Sequence, residues 1–190
     1  MLKKEILKGD MSKTEVEAFL KGKGDFVQID HLIRFMKEDL PTDIKKFVSM
    51  KIAEIYERRG MYNDAGKLYN NAVIYSIPFS EKMRCHVKEA EMYIKAGLFE
   101  RADKSLRDAI SHSNSREKDE INSQIKDFYK RQALVYEKEM RRGHAVRIYE
   151  KLLQMSITED ERREIKEKLM NLYEKVGKVR EYLVLKRGFE

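Results

Sequence analysis

Small and aromatic residues recur at helical spacing along the chain and surround single glycines in a fixed order. The clearest copy lies between residues 53 and 72. Its members are Ala53, Tyr56, Gly60, Tyr62, Ala65, Tyr69 and Ala72. This spacing predicts two amphipathic helices joined by a tight turn at the glycine, because residues three and four apart share one helix face.

The same order returns at successive shifts of 37, 43 and 37 residues, so the chain contains an internal repeat. The second copy is Ala90, Tyr93, Gly97, Phe99, Ala102, Leu106 and Ala109. The third is Ala133, Tyr136, Met140, Ala145, Tyr149 and Leu152, and the fourth is Met170, Tyr173, Gly177, Val179 and Tyr182. A fainter copy precedes the first, which places the start of the array near residue 10.

Helix packing gives a physical reason for this order. A glycine ends the first helix of a hairpin, because a left-handed backbone costs glycine little free energy. Alanines let two helices approach closely, and tyrosines fill the space between hairpins. One hairpin cannot cover its own apolar face, so neighbouring hairpins must stack. We therefore predict an all-α fold of about four to five stacked antiparallel helical hairpins.

The predicted array is a single repeat domain. A degenerate first unit covers about residues 10–45, and repeats follow at about 46–82, 83–119, 126–162 and 163–190. Capping boxes at Ser12–Glu15 and Thr158–Glu161 open two helices, and Thr42 and Ser80 are predicted N-caps after prolines. The predicted helices cover about residues 13–21, 25–39, 43–59, 63–76, 81–96, 99–112, 116–141, 144–155, 159–176 and 178–187.

The residues from Ala53 to Pro78, with their later copies, resemble the tetratricopeptide repeat family. The likeness extends over residues 46–79, 83–113 and 126–156, and in part over residues 163–190. Ser49 and His86 stand where the family carries tryptophan, and the long period is similar to that of SNAP-type helical solenoids. The resemblance implies that the hairpins stack into a right-handed superhelix. It also implies a concave groove, lined by the first helix of each hairpin, that binds protein segments.

Composition agrees with helix and narrows the protein class. Charged residues make up 38% of the chain and hydrophobic residues 42%, whereas glycine (9) and proline (2) are scarce. The net charge of +7 is spread along the chain, as expected of a solvated surface of mixed charge. The single cysteine excludes an internal disulfide, and we expect no signal peptide and no membrane span. We predict a cytoplasmic protein.

Catalytic chemistry has little support in the sequence. No phosphate-binding loop, dinucleotide fingerprint or nucleophile elbow is present, and none of the four histidines has a partner at zinc-site spacing. Cys85 and His86 are neighbours, but adjacent helical residues point about 100° apart, which favours structural roles. We therefore expect no enzymatic activity, no cofactor and no metal site.

The resemblance implies a set of groove residues on the first helices of the hairpins. These are Phe47, Met50, Glu54, Arg58, Arg84, Val87, Glu91, Ile94, Lys95, Lys130, Leu134, Lys138, Asn171 and Lys175. One base recurs at the same repeat position in every unit. These bases could form a row that binds an acidic ligand. Alternatively, in the first two units each base forms an ordinary ion pair with the glutamate four residues earlier. The apolar members predict a strip that anchors an amphipathic helix or an extended segment.

Two further clusters lie outside the groove. In the last helix, Tyr182, Leu185 and Phe189 are predicted to contact a partner or the second subunit of a homodimer, unless this segment folds back over the fourth unit. The basic residues Lys130, Arg131, Arg141, Arg142 and Arg147 lie near the tip of the third hairpin. The leading prediction is a protein–protein interaction scaffold. The alternative is a basic helical-repeat protein that binds RNA or the ribosome through this tip.

Overall fold

The computed structural model describes residues 6–111 and 113–188, which contain ten α-helices and no strand. The helices are α1 (Lys13–Leu20), α2 (Asp25–Phe35), α3 (Thr42–Arg58), α4 (Tyr62–Ile74), α5 (Phe79–Ala96), α6 (Phe99–Ser111), α7 (Ser115–Lys138), α8 (Arg142–Leu152), α9 (Glu159–Val176) and α10 (Val179–Arg187). The prediction of an all-α fold is confirmed. Most bounds lie within about three residues of the predicted ones, although α2 ends earlier, at Phe35.

The helix N-termini divide into two kinds. Ser12 and Thr158 form the predicted capping boxes, each with a glutamate three residues later. The predicted caps Thr42 and Ser80 are wrong, because both residues lie inside their helices and Pro41 and Pro78 hold the N-cap positions. Each proline carbonyl accepts the first backbone hydrogen bonds of its helix, so these prolines begin α3 and α5 as well as ending the preceding segments.

Contacts divide the chain into two compact units, residues 1–114 and residues 115–190. In the first unit α3 packs on α4, α4 on α5 and α5 on α6. In the second unit α7 packs on α8, α8 on α9 and α9 on α10. Each unit is therefore built from helices that pack in neighbouring pairs, as the hairpin repeat requires. The right-handed superhelix and the repeat boundaries stay predictions.

Alanines are completely buried at equivalent positions of the repeat. Ala53, Ala90 and Ala133 occupy the same repeat position on α3, α5 and α7, and all three are completely buried. Their counterparts on the second helices, Ala65 and Ala102, are also completely buried. The predicted burial of these alanines is therefore confirmed, and a larger side chain at any of these positions would have to displace its neighbours.

The first unit also holds a continuous aliphatic core around its first three helices. Val16, Leu32 and Val48 have no exposed surface, and they come from α1, α2 and α3 in turn. The complete cluster is Leu7, Val16, Leu20, Ile29, Leu32, Phe35, Leu40, Ile44, Val48, Ile52 and Ile55. The faint sequence copy before residue 46 thus packs through a mainly aliphatic core, with Phe19 and Leu32 at the positions of Tyr56 and Tyr69.

Each first helix ends in the same left-handed turn. Gly60, Gly97 and Gly177 have φ angles of 73°, 76° and 74°, which confirms the predicted role of these glycines. In each turn the next residue donates its N–H to the carbonyl of the repeat tyrosine five positions earlier, as in a Schellman motif. Met140 replaces the glycine in the third hairpin and adopts φ 59°, the only positive φ of a non-glycine residue in the described ranges. The turn geometry is therefore retained without glycine.

We predict that Met140→Gly stabilises the protein by about 0.5–1 kcal/mol. The substitution removes the left-handed strain of a residue with a Cβ, which outweighs the added entropy of glycine in the unfolded chain. Urea unfolding of both proteins measures the difference. Gly177→Met is the matched control, because no atom lies within 4 Å of an added Cβ there, and it should lose about 1 kcal/mol. Equal stability of wild type and Met140→Gly would contradict this account of the turn.

A buried tyrosine pairs with a glutamate inside two of the hairpins. Tyr149 on α8 donates a hydrogen bond to Glu137 on α7, and burial together with this bond raises the pKa of Tyr149. Tyr69 on α4 occupies the equivalent position beside Glu57, and burial followed by that negative charge raises the pKa of Tyr69. In the second hairpin both positions are apolar, Ile94 and Leu106. The second hairpin therefore lacks both members of the pair, because leucine replaces the tyrosine and isoleucine replaces the glutamate.

This pairing predicts strong coupling between residues 137 and 149. Glu137→Ile or Tyr149→Leu alone leaves a polar partner without its hydrogen bond and should cost about 1–3 kcal/mol. The double variant recreates the Ile–Leu pair of the second hairpin and should recover at least about 1 kcal/mol of the summed loss. Chemical unfolding of the four proteins gives the coupling. Additive losses within about 0.5 kcal/mol would show that the pair is not a unit.

Candidate interaction surface

Ion pairs join the first helices of successive hairpins in the first unit. Lys51 Nζ on α3 lies 2.7 Å from Glu17 Oε1 on α1, and Lys46 Nζ on α3 lies 2.7 Å from Glu81 Oε2 on α5. The partners are 34 and 35 residues apart, or about one repeat. We call the face formed by these first helices the α3/α5 surface. It corresponds to the predicted groove of this unit.

The two bases of the first unit that recur at the same repeat position, Arg58 and Lys95, each meet a carboxylate of the preceding hairpin. Arg58 Nη2 lies 3.0 Å from Asp25 Oδ1 on α2, and Lys95 Nζ lies 2.7 Å from Glu57 Oε1 on α3. The two glutamates expected as their partners pair with lysines three residues before them: Glu54 with Lys51, and Glu91 with Lys88. The bases therefore link hairpins to each other, and their charge is already balanced on the α3/α5 surface.

The predicted apolar strip is wrong for half of its members. Val87 is 8% exposed and Ile94 is completely buried, because Ile94 takes the inward position that glutamate holds in the neighbouring hairpins. Phe47 and Met50 are half-buried, and the Lys51 ammonium lies 5.6 Å from the centre of the Phe47 ring. Arg84 is exposed on α5. Apart from Arg84, the charges named on the α3/α5 surface are paired with each other, and the surface has little apolar area for a partner.

The equivalent surface of the second unit differs in both charge and apolarity. Leu134 on α7 is 53% exposed, and Val135 beside it is 42% exposed. Lys138 lies one turn further along α7, and Asn171 and Lys175 lie at the matching repeat positions on α9; all three are exposed. Neither lysine forms an ion pair with any described residue. We call Leu134, Val135, Lys138, Asn171 and Lys175 the α7/α9 surface.

One ion-pair cluster fixes α9 beside α7. Lys130 donates to Glu161, and Lys126 Nζ lies 3.8 Å from the second carboxylate oxygen. Glu161 also accepts the N–H of Thr158 at 2.9 Å as part of the capping box that begins α9. Lys130, a predicted groove residue, therefore positions the two helices and is not available to a ligand as a free charge.

The basic residues at the tip of the third hairpin are partly engaged within the protein. The guanidinium of Arg141 lies 4.4 Å from the centre of the Tyr136 ring and 3.6 Å from Glu139 Oε2. Arg131 lies 5.9 Å from the Phe128 ring, and Arg142 contacts the sulfur of Met140. Arg147 is exposed on α8. With Lys130 bound to Glu161, these residues do not form one continuous unpaired patch.

The predicted partner contacts in the last helix fall on its more covered side. Tyr182 and Leu185 are half-buried in α10, whereas Leu183 and Val184 between them are 47% and 67% exposed. Phe189 lies outside the described residues. The sequence did not distinguish these faces, because four consecutive apolar residues cover most of a helix circumference.

His86 and Cys85 take part in packing and internal hydrogen bonds. His86 Nδ1 lies 3.0 Å from Glu89 Oε2, and Asn70 donates to the same buried carboxylate at 3.2 Å. Burial raises the pKa of the Cys85 thiol, whose sulfur lies 3.9 Å from Ser76 Oγ. No group of metal-binding side chains occurs among the described residues. Glu89 is the polar core residue that the sequence analysis missed, because its partner Asn70 lies on another helix.

No family model and no curated protein matches this chain. Within residues 6–111 and 113–188, no helix is both long enough and apolar enough to cross a membrane.

Glu161 should make the stability of the second unit sensitive to acid. The hydrogen bond from Lys130, followed by that from the Thr158 N–H, lowers the pKa of Glu161 to about 2. A lowered pKa stabilises the fold above the unfolded value near 4.5, and this contribution is lost as the pH falls towards 2. Glu161→Gln should therefore be less stable than wild type at pH 6, with a difference that shrinks between pH 4.5 and 2.

Urea midpoints between pH 2 and pH 7 measure this effect. Glu167→Gln, an exposed carboxylate on the same helix, is the control and should leave the acid profile close to wild type. A difference between Glu161→Gln and wild type that stays constant across this pH range would contradict the assignment of the ion pair.

Proposed function

We propose that the chain is a non-catalytic protein–protein interaction scaffold, a solenoid of the tetratricopeptide type, and that it binds a partner segment on the α7/α9 surface. One observation supports this site above the others. An exposed leucine lies on the same face as two lysines that lack ion pairs, whereas the corresponding bases of the first unit are paired with carboxylates.

The chemistry of the surface defines the segment that fits it. Leu134 and Val135 offer apolar area, and covering one such side chain contributes about 1–2 kcal/mol. Lys138 and Lys175 favour carboxylates, and the Asn171 amide can donate to and accept from a peptide backbone. The preferred segment therefore has one or two large apolar residues next to Asp or Glu. Each contact is small, so binding needs several of them at once.

The α3/α5 surface suits a structural role in this proposal. A ligand carboxylate would have to displace Glu57 from Lys95, or Asp25 from Arg58, and would gain little from the exchange. We infer that these pairs fix the spacing of the hairpins, and that the second unit carries the recognition surface.

A peptide-display selection against the full chain tests the proposal. We expect enrichment of sequences that combine large apolar residues with Asp or Glu. The variant Lys138→Glu/Lys175→Glu should bind the enriched peptides at least tenfold more weakly, and Leu134→Ser should weaken them several-fold. Lys118→Glu, an exposed residue near the start of α7, is the matched control and should bind as wild type does.

Two outcomes would contradict the proposal. One is the absence of any enriched sequence, and the other is equal binding of the enriched peptides by the charge-reversed variant. A single-stranded RNA probe serves as the second arm. If RNA binds the chain tightly and its affinity falls steeply with salt, the nucleic-acid alternative replaces the scaffold.

A further inference from the structure

Helix α10 carries an apolar face that no described residue covers. It is the one helix in the described part of the chain without a buried residue. Tyr182 and Leu185 lie towards the covered side, whereas Val179 is 64% exposed, Leu183 47% and Val184 67%. Val179 and Leu183 are four residues apart and share one helix face, whereas Val184 points about 100° away from Leu183, so the three side chains form a broad apolar face rather than a narrow row. We call them the α10 stripe.

The repeat shows which kind of element covers this position in the other hairpins. Leu183 is equivalent to Gly66 on α4 and to Val146 on α8. At Gly66 the ring of Tyr93, from the first helix of the next hairpin, lies only 2.7 Å from where a Cβ would be. Val146 is 1% exposed, on a helix that packs against α9. In the first and third hairpins, the position equivalent to Leu183 therefore accepts another helix, whereas in the second hairpin it is the half-buried Asp103.

Val184 adds a second, independent observation. Its equivalents in the three preceding hairpins are Lys67, Lys104 and Arg147, all exposed. Three hairpins carry a basic residue at this exposed position, whereas the fourth hairpin carries valine. The stripe is therefore wider than the face that one following helix covers in the earlier hairpins.

Charge around the stripe determines which partner fits. Residues 174–187 contain five basic and two acidic side chains. Arg180, Lys186 and Arg187 form no ion pair with any described residue. Two α10 helices from separate copies would bring these like charges together, which disfavours a homodimer through this face. An acidic partner, by contrast, would be attracted to this face by the same positive charges.

We propose that the α10 stripe docks an acidic amphipathic helix of a partner protein. The apolar side of that helix covers Val179, Leu183 and Val184, and its Asp and Glu residues lie against Arg180, Lys186 and Arg187. The arrangement repeats the way in which α4 accepts α5 and α8 accepts α9. The α10 stripe is separate from the α7/α9 surface. The α10 stripe would bind a helix, whereas the α7/α9 surface would bind a short segment.

Binding of two defined peptides to the full chain tests the proposal. The probe is an 18-residue helix-forming peptide with leucines at i, i+3, i+4 and i+7 flanked by glutamates, and its control replaces every glutamate by lysine. We expect the acidic peptide to bind at least tenfold more tightly than the basic one. Fluorescence anisotropy measures both affinities.

Val179→Arg/Val184→Lys should weaken the acidic peptide at least tenfold. Arg142 stands at the first of these positions in the third hairpin, and Lys67 and Lys104 stand at the second in the first two hairpins. Val179 and Val184 are both exposed, so the fold should be retained, as circular dichroism can verify. Val27→Lys, at an exposed valine on α2, is the matched control and should bind as wild type does. Arg180→Glu/Lys186→Glu leaves the stripe intact and should also weaken the acidic peptide.

Three results would overturn the proposal. They are no binding of the acidic peptide, equal binding of both peptides, and unchanged binding by Val179→Arg/Val184→Lys. Light scattering adds a further check, because a dimer that this variant dissociates would identify a second copy as the occupant and would exclude the acidic helix.

Discussion

Close approach of helices at buried alanines is the constraint on which the rest of the structure depends. Ala53, Ala90 and Ala133 leave room for the second helix of each hairpin, and this spacing places the tyrosines and the turns where they are found. The Schellman turns at Gly60 and its equivalents then follow from the chain reversal that such packing needs. Met140 shows that packing dominates, because the same turn forms there at a cost in backbone strain.

The same repeat serves different purposes in the two units. In the first unit, bases such as Lys95 and Arg58 hold carboxylates of the preceding hairpin, so charge contributes to stacking. In the second unit, Lys138 and Lys175 occupy the same repeat positions and have no such partners among the described residues. A recognition surface can thus arise from a stacking surface by the loss of acidic partners and the gain of an exposed leucine.

Features that depend on local spacing were predicted from the sequence. Contacts between residues on different helices were predicted less accurately. The hairpins, the glycine turns and the capping boxes at Ser12 and Thr158 are encoded within a few residues and were confirmed. Ile94 was assigned to the groove because of its position on the helix. Its burial is favourable because Leu106, a second residue of the same hairpin, is also apolar. Exposure of Leu134 depends on which neighbours fail to cover it, which no local pattern encodes.

Enlarging the buried alanines tests the central constraint most directly. The measurement is the free energy of unfolding of Ala53→Leu, Ala90→Leu and Ala133→Leu, compared with Ala18→Leu at an exposed position of α1. The account predicts a loss of about 1–3 kcal/mol for each buried site, because the helices have no room for a larger side chain, and almost no change at residue 18. Buried-site variants as stable as Ala18→Leu would contradict it.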